Sequence, residues 1–127
     1  MPHSTHFDGK RKTFISAQPL LEGRFVKITA AGVGVGAPTV DYCSASDVNA
    51  IGVVEATTLA IGDKVTVNLL TGQGTVVSSA LGAIGAGVVV FAAANGQVAA
   101  TGTVRRGISV DAAAEAGDPI EVLPING

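Results

Sequence analysis

The sequence runs to 127 residues, one domain's worth, and 47% of them are apolar, enough for a single core. With no Trp, one Tyr, four Phe and one Met against 17 Gly, the composition excludes Leu-striped amphipathic helices and favours thin sheets built from Val and Ala. A net charge of −2 gives no pull towards nucleic acid or anionic membrane, and the single cysteine, Cys43, excludes an internal disulfide.

Residues 1–21 read as an arm, flexible when free. They are polar and basic, Pro2 and Pro19 bracket them, and no 3.6-residue period runs through the apolar residues Phe7, Phe14, Ile15, Leu20 and Leu21. Charge sets this end apart: residues 1–29 carry a net +3 and residues 30–127 a net −5. Lys10, Arg11 and Lys12 form the densest basic patch, suited to docking on an acidic protein face rather than on nucleic acid. No apolar signal segment follows the basic residues, so synthesis and folding in a cytoplasm are expected.

From Glu22 onward the predicted elements are short strands making one β domain over residues 22–127. Arg24–Ile28 opens the series, followed by Pro38–Cys43 and Ala50–Val54. Lys64–Leu69 alternates polar and apolar throughout, as a half-buried strand does. Thr75–Ser78, Val88–Ala92, Gln97–Thr101, Val104–Val110 and Ile120–Ile125 complete the set, with Asn95-Gly96 as a hairpin turn. Asp111–Ala116 is the one helical candidate, with Asp111 as its cap. Ala80–Ala94 is apolar over 15 residues but carries three glycines and falls short of the roughly 18–20 that a membrane helix needs. The sum is an all-β domain, a small barrel or sandwich.

An internal repeat runs through this domain. Ile51-Gly52-Val53 to Gly62-Asp63-Lys64-Val65-Thr66-Val67 returns, 55 residues later, as Arg106-Gly107-Ile108 to Gly117-Asp118-Pro119-Ile120-Glu121-Val122. Gly36–Val40 and Gly87–Val90 read as looser copies of its second half. Gly52, Gly62, Asp63, Gly107, Gly117 and Asp118 are the structural turn residues in this reading. Gly permits a positive φ, and Asp caps the adjoining backbone.

The chemistry-bearing residues form no catalytic set, and no enzyme, metal or cofactor is expected. Asp41, Asp47, Glu55, Asp111, Glu115 and Glu121 follow no motif. His3, His6 and Asp8 have metal-like spacing but lie in the arm, short of a four-ligand scaffold. The body has no histidine to act as general base. Cys43, in Asp41-Tyr42-Cys43-Ser44, has no nearby cation in sequence and reads as a buried thiol. Gly32-Val33-Gly34-Val35-Gly36 follows a strand but leads into another strand, not the helix that dinucleotide binding requires. Arg105-Arg106 reads as a solvated strand face or a subunit contact.

Glu22-Gly23-Arg24, Ile51-Gly52-Val53, Gly62–Val67, Arg106-Gly107-Ile108-Ser109 and Gly117–Val122, in this order and spacing, resemble the phage capsid cement or head decoration proteins. The resemblance implies a β-tulip or small barrel similar to that of the lambda head decoration protein. It implies a homotrimer set on the outer capsid surface of the virion, stabilising the head lattice. The partners would be the major capsid protein and the chain itself, with no nucleic acid or membrane. Phe7, Lys10, Arg11, Lys12, Phe14, Ile15, Leu20 and Leu21 would then be the capsid-binding arm. The alternative is another virion module of a tail, a baseplate or a host-glycan-binding domain.

Overall fold

The computed structural model describes residues 11–32, 34, 36–70 and 74–124. They form ten strands and a single 3₁₀ turn, with no α-helix among the described residues. In chain order the strands are β1 (Arg11–Ser16), β2 (Phe25–Ala30), β3 (Thr39–Tyr42), β4 (Gly52–Val54) and β5 (Lys64–Leu69). After them come β6 (Val76–Ser79), β7 (Val89–Ala92), β8 (Val98–Ala99), β9 (Arg105–Ser109) and β10 (Pro119–Pro124). The expected all-β barrel is the fold observed. The alternation of β5 explains why: Val65 and Val67 point inward and are buried, while Lys64 faces solvent.

The ten strands make two lobes of one design. Strands β1–β5 close into a barrel of order β1-β3-β2-β4-β5, and β6–β10 form a five-stranded sheet of order β6-β10-β9-β7-β8. The first barrel closes by a parallel β1–β3 pairing, Ser16 opposite Val40. The second sheet curls until Ala80, just after β6, meets Val98 of β8 in a parallel bridge. Main-chain hydrogen bonds repeat one for one. Ser16 N donates to Asp63 O as Ala80 N does to Asp118 O; Thr58 N to Leu20 O as Ala113 N to Ile84 O; Gly23 N to Val54 O as Gly87 N to Ser109 O. The fold is thus an internal duplication. The equivalent pairs are 55 residues apart in the second half of each lobe but 64 apart in the first, as for Gly23 and Gly87. The connection between β2 and β3 in the first lobe absorbs most of the difference.

This pairing corrects the looser repeat read from sequence: Gly87 is the counterpart of Gly23, not of Gly36. Gly52 and Gly107 are corrected as well, since they lie inside β4 and β9 rather than in turns. A Cβ on Gly52 would stand 2.2 Å from Asn68 O, and one on Gly107 2.3 Å from Leu123 O. These glycines let neighbouring backbones approach. The helix expected over Asp111–Ala116 is an irregular connection in which Ala113 bridges Ile84. Asp111 Oδ1 there accepts from Glu121 N instead of capping a helix.

The arm requires the largest correction. Residues 11–21 belong to the first barrel. Arg11–Ser16 pairs antiparallel with β5 from Arg11 opposite Asn68 to Ile15 opposite Lys64. Phe14 and Leu20 are buried with Val26, Val40, Val54, Val65 and Val67 in the core of that barrel. Phe7 and Lys10 lie outside the described residues.

A second apolar cluster lies in the second lobe, with Val76, Ala80, Ile84, Val90, Val98, Ala113, Ile120 and Val122. It also includes Phe25, Cys43 and Val53, which project from the outer side of the first lobe. Ser79 N and Ser78 Oγ both donate to Gly23 O, and Gly96 N donates to Cys43 O, so main-chain bonds rivet the lobes on each side of Phe25.

Candidate interaction surfaces

The two Gly-Asp turns are built alike. Gly62 and Gly117 stand at φ 87° and 88°, conformations that strain any residue with a Cβ. Asp63 Oδ2 accepts from Leu59 N and Ala60 N, as Asp118 Oδ2 does from Ala114 N and Glu115 N. The frames match and the side chains they carry differ. The first lobe's loop presents Leu59 and Ile61, 86% and 75% exposed, where the second has Ala114 and Ala116. Exposed Leu21 is tied beside this loop, because Thr58 N donates to Leu20 O and Glu22 N to Thr57 Oγ1. Three large apolar side chains are therefore held in water on a fixed backbone.

The junction between lobes holds most of the polar chemistry. Arg106 is buried, with its guanidinium 5.4 Å from the centre of the Phe25 ring, and its Nε and one terminal nitrogen have no hydrogen-bond partner. Burial pulls its pKa down, although an arginine stays charged, and the ring face supplies part of the missing compensation. Cys43 is buried close by; burial pushes its thiol up to about 11 despite the pull of Arg106, which leaves it unreactive. Arg24 lies over Tyr42 at 5.8 Å and donates to Asn95 O across the junction. Beside them opens a cleft of about 670 Å³, lined in part by Leu21, Arg24, Glu55, Asn68, Val77 and Pro119.

The residues assigned to an arm disperse. Arg11 and Lys12 are exposed, and Arg11 Nε lies 3.0 Å from Glu55 Oε2. Phe14 and Leu20 face the core, Ile15 is half-buried and Leu21 is exposed. Arg105 and Arg106 divide: the first is solvated, the second buried, because adjacent strand residues point to opposite faces. Two surface acids have set tasks. Asp47 Oδ2 takes Lys27 Nζ at 2.7 Å and Ser44 N at 2.8 Å, which holds its carboxyl at a pKa of about 2. Asp41 accepts from Gln18. No group of three His, Cys, Asp or Glu able to hold a metal occurs among the described residues, and His3 and His6 lie outside them.

Sequence reasoning missed an apolar outer face on the second lobe. Leu123, Ile108 and Val89 stand in line across β10, β9 and β7, with Val77 two strands from Ile108 on β6. Val77, Leu123 and Ile108 are 56%, 47% and 38% exposed. The counterparts of Val89 and Ile108 in the first lobe are Phe25 and Val53, paired with each other and buried under the second lobe. The signal was present in the alternation of Ile120–Leu123, whose outward positions are not uniformly polar.

The architecture defines a class: a duplicated, all-β fold of two five-stranded units docked side by side. No protein-family model matches the chain, and no curated protein sequence matches it. Among solved structures, the N base of the head fiber gp8.5 of bacteriophage phi29 is similar, with a TM-score of 0.71 at 14% identity over 91% of this chain and 92% of that one. At that identity the likeness is one of fold.

Proposed function

We propose that the chain is a structural protein of a phage head, a cement or decoration protein that binds the outer capsid surface as an oligomer and stabilises the lattice. The observation that carries the reading is the likeness over nearly the whole length of both chains to the base of a phage head fiber. The sequence motifs that resemble cement proteins point the same way. The partners are the major capsid protein and further copies of the chain, with the homotrimer as the preferred assembly.

The rigid apolar tip of Leu21, Leu59 and Ile61 is the part that would seat on the capsid. Each exposed side chain, once covered, contributes at roughly 25 cal/mol per Å² of apolar area, and the pinned backbone loses little entropy on docking. Exposed Arg11 and Lys12 would assist weakly, at about 0–1 kcal/mol per surface ion pair. The test is co-sedimentation with undecorated heads, followed by cryo-electron microscopy of the decorated particles. Leu59→Asp together with Ile61→Asp should keep the parent's melting curve and lose most bound copies. Parent protein absent from the outer shell would overturn the reading.

A further inference from the structure

We infer that the outer face of the second lobe is the surface through which one copy docks on the first lobe of the next, head to tail. The inference rests on the self-association in the proposed function and specifies its surface.

The duplication carries the argument. Phe25 and Val53, on β2 and β4, are buried because the second lobe lies over them. Val89 and Ile108 are the same pair of positions on β7 and β9, and among the described residues Ile108 stays exposed and Val89 only half-buried. The second lobe therefore displays the surface by which the first holds its neighbour, and Leu123 and Val77 widen it. In a soluble chain, an apolar row across a sheet marks an interaction site.

The occupant follows from the same equivalence. Within the chain, β6 and the Ser79-Ala80 segment lie against the first lobe through the bonds to Gly23 O. The counterpart of β6 is β1, so the β1–β5 wall of a second copy is the matching element. The outer side of that wall exposes Arg11, Thr13 and Lys64. The second-lobe face offers Lys64 the carboxylates of Glu121, opposite Val77, and Asp111 alongside, with Arg105 opposite Phe91 at its other end. Ile15 N, the counterpart of Ser79 N, already donates to Pro38 O, so side chains take the place of that bond in the contact between copies. One surface lies on the second lobe and its complement on the first. Such a contact is heterologous and closes into a ring when its rotation permits.

Sedimentation velocity at tens of micromolar tests this on the full chain. The parent should assemble, and Ile108→Asp should weaken association about tenfold or more while melting as the parent does. Thr13→Glu with Lys64→Glu, on the opposite surface, should do the same. Mixing the two variants should restore a single one-to-one dimer that grows no further, because each retains the half the other lacks. A monomeric parent, an Ile108→Asp variant that assembles like the parent, or a mixture that stays monomeric would overturn the inference. Binding of each variant to heads is measured in parallel. Parent that assembles yet fails to bind heads counts against the proposed function alone, and binding without assembly counts against this inference alone.

Discussion

Asp47 shows how one carboxylate ties a surface loop to a strand. Its bonds to Lys27 and Ser44 join the segment after β3 to β2, and they hold its pKa at about 2, below the ordinary 3.8. A carboxyl whose folded pKa is depressed adds stability that is complete above the unfolded pKa and is lost as pH falls through the folded one. The parent should therefore melt above Asp47→Asn at about pH 6, and the gap should narrow below about pH 4 and close as pH falls through about 2. Thermal melts of both proteins over that range check it, and an undiminished gap at about pH 2 would contradict it. Gly107 gives a second test at this scale. A methyl group there meets Leu123 O and the Val122 side chain, so Gly107→Ala should cost about 1–3 kcal/mol, the usual penalty for overpacking. Urea unfolding of the variant measures it.

Among the elements, the strands legible in the sequence were those whose side chains alternate. Lys64–Leu69 has the bounds read from its pattern, because one face meets the core and the other meets water. Strand β1 was hidden for the opposite reason. Arg11, Lys12 and Thr13 are all exposed, so alternation in burial begins only at Phe14, too late to register as a period. The duplication was half legible. Where glycine and aspartate perform the same task twice, at 62–63 and 117–118, the residues recur; where main-chain bonds alone repeat, as at Leu20 and Ile84, unlike residues serve equally well. Burial of Arg106 left no trace in the sequence, since it depends on Phe25 of the other lobe. The corrected role of β1 has a direct consequence. Removing residues 1–17 opens the barrel between β3 and β5, and the truncated protein should lose its cooperative melt. Phe14→Ala alone should cost about 3–5 kcal/mol. Calorimetry of both variants decides the matter, and a truncated form that melts like the parent would restore the arm.

For the whole molecule, the apolar surfaces divide the proposed labour: a rigid tip at the Gly62 turn for the capsid, and the β10–β9–β7 face for the neighbouring copy. The buried residues are shared less evenly between the lobes. The first cluster is drawn wholly from residues 14–67, but the second is completed by Phe25, Cys43 and Val53. The halves are alike in design and unequal in independence, and chain order turns that inequality into a sequence of events during synthesis. The N-terminal half leaves the ribosome first with every residue its own interior needs, and chains emerge at about 5–20 residues per second, slow enough for a small unit to form. It then stands as a template, holding Phe25 out for the half still emerging. A fragment of residues 1–70 should give a cooperative unfolding transition, whereas residues 74–127 should stay unfolded or aggregate until the first fragment is added. Circular dichroism of each fragment and of their mixture reads this directly. A circular permutant that begins at residue 74 should give less soluble protein than the natural order, although its folded state would hold the same contacts.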